Sequence, residues 1–451
     1  MITSSRHILR LISAGLILLG SAAAPALAQQ PSPASRMQAP EIRPGPADET
    51  KLQIASRNLI PFMRGEIAAA EYLSESFTRA VPPEQLRGLI AGYIRIHGQP
   101  TGITQIRQVN SNGGIYQLEF ERSMARIAMT VDPADGRIFG LFFSNFQKRG
   151  DSLAAVKSEF EALPGKAGFA IAELRAGDLP DITTAYQAEE QFAVASTFKL
   201  YILAELGARI KSGKLRWDEV VPLKYRSYSS LATRGWPKNT PVTINTLALQ
   251  MIAVSDNSAS DTLLHRLGRK SVGKRVLQIG HANPAPTLPI LSTVEALVLK
   301  GDDILRRKYL ALDDAAQQRF LAANADKFRY DDVDRYVFST PEPKHIGTIE
   351  WFASPTDTVQ LLDQLKRDGS PRVLQIMSAN LGTADGRQSK WRYLGYKGGS
   401  EPGVISMSFL AQSKSGKWFA ITGSWNKADG VVDDARLGSL MNRLLDLTAK
   451  Q

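Results

Sequence analysis

The stretch that most constrains this chain is Ala193-Val194-Ala195-Ser196-Thr197-Phe198-Lys199-Leu200-Tyr201-Ile202-Leu203. It sets a serine and a lysine three apart at the start of an apolar run with helical spacing. Residues three apart share one helix face, a turn above each other. A helix that begins near Ser196 places its hydroxyl at the positive end of the backbone dipole, where a developing alkoxide is favoured. Lys199 then points back toward that hydroxyl. Phe198 and Leu200 flank the lysine, and an apolar setting lowers an ammonium pKa and frees amine to act as a base. The pair is a serine nucleophile with its own general base, and it needs no histidine.

Four residues match such a template cheaply, and Ser271-Val272-Gly273-Lys274 fits it too. Context separates the two. Ser255-Asp256-Asn257 follows the first pair and precedes another apolar helical run, and Lys397-Gly398-Gly399 stands in a strand-like segment near the end. Ser-x-x-Lys, then Ser-Asp-Asn, then a Lys-Gly strand motif, in that order, is the signature of serine β-lactamases and penicillin-binding proteins. With the approach Ala185-Tyr186-Gln187-Ala188-Glu189-Glu190-Gln191-Phe192, residues 150–450 resemble class A β-lactamases.

The element pattern agrees. Strand-like segments at 168–175 and 182–186 come early, and three more at 391–397, 403–412 and 418–425 come late, with helical segments between and a closing helix over 436–450. The resemblance implies an α+β fold in which these strands form a five-stranded antiparallel sheet beside a helical lobe, with the site between. Asp151 is the expected N-cap of a helix over 151–163.

The resemblance also implies roles. Ser196 is the acylated nucleophile and Lys199 helps remove its proton. Ser255 relays a proton to the leaving nitrogen, although a serine there also suits a helix N-cap. Asn257 binds the lysine and a substrate amide, and Asp256 braces the loop backbone. Lys397 supplies positive potential for a substrate carboxylate, with Gly399 in the same strand motif. The N–H groups of Ser196 and Ser400 form an oxyanion hole.

Two features depart from the family pattern. Gly398 stands where a Thr or Ser usually contacts the substrate carboxylate, and Ser400 is the nearest replacement hydroxyl. The family's deacylating Glu, in an E-x-x-L-N pattern, has no counterpart between Asn257 and Lys397. Glu295, Glu342 and Glu350 lie there without the right neighbours and read as ordinary surface or helix residues. Two helix starts, one in 289–295 and one at Ser354-Pro355-Thr356-Asp357, bracket a charged insertion.

Ahead of this region the chain has other parts. Residues 1–28 read as a secretory signal, with Arg6 and Arg10, an apolar core over 11–19, and Ala26-Leu27-Ala28 before the cleavage point. The expectation is a periplasmic or secreted protein with no membrane span after cleavage. Residues 29–48 read as a flexible linker. Residues 49–147 give helices, with a break expected near Pro61, and then four short strands joined by turn signals. This reads as a small α+β domain with a curved antiparallel sheet, similar by element order to steroid-isomerase or cystatin-like folds. A structural or partner-docking role is its default reading. The catalytic domain is then 148–451.

Composition removes other classes. The chain has no cysteine, hence no disulfide or thiolate metal site. No H-E-x-x-H or phosphate-cradling glycine loop occurs, so no metal and no cofactor is expected. The net charge of +11 is dispersed, and no basic stretch interleaved with aromatics points to nucleic acid. The densest basic cluster, Arg266, Arg269, Lys270, Lys274 and Arg275, has helical spacing and reads as a solvated face. The expected partner is a small β-lactam or a related amide or ester. A penicillin-binding-like protein with slow deacylation, a related esterase or peptidase, and a non-catalytic binding protein are the alternatives.

Overall fold

A computed structural model describes residues 49–227, 229–230, 232–329, 337, 340–368, 370–383 and 387–451. The expected signal and linker lie outside these residues. Lys51–Gln451 form one compact unit.

The unit opens with helix α1 (Lys51–Met63), which buries Leu52, Ala55, Leu59 and Phe62, residues three and four apart on one face. The helix runs on through Pro61 and ends two residues later, so the proline terminates the segment without splitting it. Two short helices, α2 (Ala69–Tyr72) and α3 (Glu75–Ala80), lead to α4 (Pro83–His97), which has Pro in its first turn. Strands β1 (Pro100–Asn110), β2 (Gly113–Phe120), β3 (Ser123–Val131) and β4 (Ile138–Lys148) follow as an antiparallel sheet in chain order. In β3 buried and open positions alternate, as expected for a strand with one covered face. The helices and this sheet enclose Leu59, Tyr116, Leu118, Phe120, Ile127 and Met129.

Helix α5 (Leu153–Glu161) starts from Ser152, whose hydroxyl accepts the Ala155 N–H at 3.1 Å. Asp151, the expected cap, instead accepts two hydrogen bonds from the Arg443 guanidinium, at 2.6 and 2.8 Å. Then come β5 (Lys166–Glu173), β6 (Asp181–Tyr186) and the short β7 (Phe192–Ala193). A 3-10 turn, Ala195–Phe198, enters α6 (Lys199–Lys211). A small ribbon of β8 (Val220–Pro222) and β9 (Pro241–Thr243) precedes α7 (Ile244–Ala253), α8 (Asn257–Leu267) and α9 (Arg269–Ile279). The first bracketing helix is α10 (Thr293–Gly301), and the insertion behind it holds α11 (Asp303–Leu310) and α12 (Asp314–Ala323). The chain returns through β10 (Phe352–Ala353), α13 (Pro355–Arg367) and α14 (Pro371–Met377). It closes with β11 (Trp391–Glu401), β12 (Val404–Ser413), β13 (Trp418–Asn426) and α15 (Asp434–Thr448).

The five long strands form one antiparallel sheet in the order β11-β12-β13-β5-β6, two early and three late, as the sequence predicts. Nearly every residue of β12 is buried, because both faces of the sheet are covered. Helices α5 and α15 cover one face around Phe160, Phe169, Phe409 and Leu444. The helical lobe covers the other around α6, whose residues Lys199 to Gly207 are all buried. A helix apolar on all sides belongs in the middle of a lobe. Strand β11 is a sheet edge, and it packs against the 3-10 turn that carries Ser196.

Helix α10 spans two parts of this lobe. Its N-terminus is closed by a capping box of Ser292 and Glu295, and its first N–H groups reach the α8 carboxylate of Asp261. Its last turn carries Lys300 to Glu401 at the end of β11. The basic cluster on α8 and α9 is solvated in part, as expected: Arg266, Lys270 and Lys274 are exposed, whereas Arg269 and Arg275 are half-buried. Arg266 pairs with Glu219, Arg269 with Glu295 and Arg275 with Glu205, so acids brought from other elements partner three of the five cations.

Candidate active site

The nucleophile turn is fixed from three sides. Strand β7 pairs with β10, and the Val194 N–H donates to Trp351 O at 2.9 Å. The Asn426 side chain brackets Ala193, accepting its N–H at 2.8 Å and donating to its carbonyl at 3.0 Å. The Ser406 hydroxyl bonds Val194 O at 2.8 Å and lies 2.6 Å from the Thr197 hydroxyl. Ala195 takes a left-handed φ of 43°, which turns Ser196 to face the lobe boundary. Phe198 stacks flat on Trp351 with ring centres 3.8 Å apart. Ser196 therefore sits in a 3-10 turn, three residues ahead of Lys199, which begins the α-helical stretch, instead of within the helix itself.

Lys199 is fully buried. Its amine donates to Ser255 O at 2.7 Å, to Ser255 Oγ at 3.2 Å and to Asn257 Oδ1 at 2.6 Å; the Ser196 hydroxyl is not one of these partners. Burial lowers its pKa to about 7, opposed by the carboxylates of Asp261 and Asp256. Lys397, also buried, donates to Ser255 Oγ at 3.0 Å and to Gly398 O. Burial, with the Lys199 amine beside it, holds the Lys397 ammonium well below its usual range. The Ser255 hydroxyl thus lies between two amines.

Ser255 is not the helix cap. It adopts a left-handed φ of 57°, and Asp256 caps α8 by accepting the Ala259 N–H at 2.8 Å. The other Asp256 oxygen accepts the Thr233 hydroxyl at 2.8 Å, so Asp256 is structural, holding the loop through a side chain where loop backbone was expected. Asn257 opens α8 and turns its amide N–H₂ to the exposed Ser229 hydroxyl at 2.8 Å.

Gly399 is required by close approach. A Cβ there would collide with Val194 O and lie 2.5 Å from Ser196 N and 2.8 Å from Thr197 N. Ser400, the next residue, is exposed. Gly398 has a different reason: a Cβ there would collide with Tyr396 Oη and lie 3.1 Å from Ser406 O. The Tyr396 phenol fills the space that a side chain at 398 would take.

The three motifs therefore converge. Ser196, Lys199, Ser255, Asn257, Lys397 and Gly399 line one boundary between sheet and lobe, linked by hydrogen bonds or backbone packing. The sequence reading missed the serine loop. Ser227 and Ser230 hold the N-terminal turn of α8, through Ser227 N–H to Ser258 Oγ and Ser258 N–H to Ser230 Oγ, both at 2.8 Å, and Ser229 meets Asn257. The only signal for it was the serine density of 227–230.

The three glutamates of the insertion also differ from one another. Glu342 is exposed, as expected. Glu295 is a capping residue paired with Arg269 at 2.5 Å. Glu350 is not a surface residue: it is buried, 2.6 Å from Lys300, which also pairs with Glu401. Among the described residues no group of His, Asp and Glu is arranged to hold a metal ion, and no helix is long and apolar enough to cross a membrane.

A family model described as "Beta-lactamase enzyme family" matches residues 151–383, more than half of the chain. The chain belongs to that family. Its fold is similar to a β-lactamase from Chitinophaga pinensis DSM 2588, at 17% identity and a TM-score of 0.44, over 66% of this chain and 98% of that one. It is also similar to a β-lactamase from Sphaerobacter thermophilus DSM 20745 at 16% identity and TM-score 0.44, over 66% and 97% of the two chains. PBP-A is a third similar structure, at 15% identity and TM-score 0.43, over 66% and 94%. No curated protein matches the chain.

Proposed function

We propose that the protein is an exported serine hydrolase that opens the amide bond of β-lactams through an acyl-Ser196 intermediate. One observation carries this reading: a buried lysine amine, one turn from Ser196, shares the Ser255 hydroxyl with a second buried amine. Above about pH 7 the Lys199 amine is largely neutral and takes the Ser196 hydroxyl proton as Oγ bonds to the carbonyl carbon. The N–H groups of Ser196 and Ser400 hold the oxyanion. The proton then passes from Lys199 through the Ser255 hydroxyl to the leaving nitrogen as the C–N bond breaks. Lys397 draws the substrate carboxylate and Asn257 binds its side-chain amide, displacing Ser229. The secretory leader at 1–28 delivers the protein to the periplasm or the exterior. Residues 49–147, with their own buried core, serve a structural or docking role within the compact unit.

Gly398 favours a second reading, a related ester or peptide substrate, because the usual carboxylate-contacting hydroxyl is absent and Tyr396 occupies its place. Intact-mass spectrometry after addition of a penicillin and a cephalosporin tests both. A Ser196 adduct, lost in Ser196→Ala, supports the first. Turnover of esters or D-Ala-D-Ala peptides with no β-lactam adduct supports the second.

A further inference from the structure

Helix α15 has two faces with different neighbours. Leu437, Leu440, Met441, Leu444 and Leu445 are buried in the core beneath the five-stranded sheet. Ala435, Gly438, Ser439, Asn442 and Asp446 recur every three or four residues on another face and line a cavity of about 750 Å³. The facing wall comes from the end of α4, the turn into β3, and β4, through Ile96, His97, Arg122, Ser123 and Phe146. The cavity thus lies where the β1–β4 sheet and its helices meet the cover of the larger sheet, and none of the three motifs lines it. Its size suits a small molecule, and boundaries between folded parts commonly carry such sites.

Two polar atoms on its walls are unpaired. Ser123 is 2% exposed, and among the described residues neither its Oγ nor Asn442 Oδ1 has a hydrogen-bond partner. Buried polar atoms are ordinarily paired, and these two belong to opposite walls of one cavity. A molecule that accepts from the serine hydroxyl and donates to the amide oxygen satisfies both.

The charges leave one cation over. Lys148 and Arg443 share Glu159, Arg443 also holds Asp151, and Arg387 holds Asp446. Arg122 meets no carboxylate among the described residues. Its guanidinium donates to Arg95 O at 2.8 Å and to Ile96 O at 3.2 Å, both backbone carbonyls in the last turn of α4. Those bonds fix its plane and leave further N–H donors unused. A single uncompensated cation calls for a monoanion.

Beside Arg122 the wall is apolar. The His97 ring stacks on Phe146 with centres 4.4 Å apart, and Ile96 stands 60% exposed. Burial, and then the Arg122 charge, hold the His97 imidazole below its usual range, so it is an uncharged ring at neutral pH. From α15, Gly438 leaves room. A Cβ there would meet nothing within 4 Å, so no close approach demands glycine inside this helix.

We propose that this cavity is a binding site for a small aromatic carboxylate whose ring carries an N–H donor. The carboxylate goes to Arg122 and the Ser123 hydroxyl, the N–H to Asn442 Oδ1, and the ring to the apolar wall of Phe146 and Ile96. The inference stands apart from the acyl-serine reading, and it gives the β1–β4 sheet one side of a ligand site.

The probe is indole-3-acetate, with indole-3-acetamide as its uncharged counterpart, titrated into the full-length protein and followed by ligand-observed NMR. The parent is expected to bind the acetate with a Kd of about 1 mM or tighter, and to prefer it over the amide by about 10-fold. Arg122→Gln removes that preference. Gly438→Leu fills the cavity from α15 and abolishes binding of both, with a melting temperature at or above the parent's, because leucine is the better helix former. No binding of the acetate at about 10 mM overturns the proposal. So does equal affinity for acetate and amide, or parental binding in Gly438→Leu, which would place the probe elsewhere. If Arg122→Gln does not fold, Gly438→Leu decides alone: lost binding supports the site, and parental binding removes it.

Discussion

The Lys199 amine donates to the Asn257 side-chain carbonyl at 2.6 Å, which joins the first turn of α6 to the first residue of α8. That bond fixes both the amine and the amide on which the proposed chemistry depends. The amide has two faces: its oxygen takes Lys199 and its nitrogen meets Ser229.

Lys199 gives the first prediction. Its pKa of about 7 makes Ser196 acylation climb as pH rises through about 7, and Lys199→Ala removes on the order of 100- to 10,000-fold of the rate. The same depression bears on stability. The unfolded chain holds this proton up to the ordinary lysine pKa, whereas the folded chain releases it near 7. The burial cost is complete below about pH 7 and is relieved as pH rises toward the ordinary lysine value. Lys199→Met therefore melts at or above the parent at pH 6 while losing acylation. A Lys199→Met protein that melts well below the parent there contradicts the desolvation argument.

The two strand glycines differ in what they exclude. Gly399→Ala must push backbone apart at Val194 and Ser196, and it is expected to cost about 2–4 kcal/mol and most of the acylation rate. Gly398→Thr meets the Tyr396 phenol first and then the single backbone oxygen of Ser406 at 3.1 Å, so pairing it with Tyr396→Leu recovers most of the loss. Thermal melts of the three variants check the contrast; no recovery in the double variant counts against it.

Asp261 is buried and accepts from Thr293 N at 2.7 Å, Thr293 Oγ1 at 2.8 Å and Val294 N at 3.1 Å. Asp261→Asn turns an amide donor toward a ring of donors, and should cost about 1–3 kcal/mol. Hydrogen exchange should speed up first at the N-terminus of α10. Unchanged exchange there would show that the helix is held by other contacts.

Arg443 of α15 joins Asp151 and Glu159, and the Asp151 pair is mostly covered. Arg443→Ala is expected to destabilise the fold by roughly 1–3 kcal/mol, less than a fully buried pair would. Denaturant melts in low and high salt check this, with a residual loss at high salt expected because the pair is sheltered.

Much of this was legible because the chemistry-bearing motifs are local. Ser196 and Lys199, and Ser255 to Asn257, need only a few residues of context, and the sheet was visible as two early and three late strands. What escaped was set at long range or by backbone angle. Glu350 looks like any glutamate until Lys300 arrives from 50 residues away. Arg269 and Arg275 look solvated until Glu295 and Glu205 fold against them. Ser255 fits a cap by residue type, yet its left-handed backbone hands that role to Asp256. The Ser227–Ser230 loop has the composition of an ordinary connection, and only its register against α8 makes it part of the site.

Helix α10 is pinned at one end to the helix of the Ser-Asp-Asn motif and at the other to the strand of the Lys-Gly-Gly motif. It behaves as a tie rod across two of the three parts of the site. The helix that marks the near edge of the charged insertion is then the piece that sets the gap between them. Trimming it would not expose a smaller version of the same site: it would leave two halves free to drift apart.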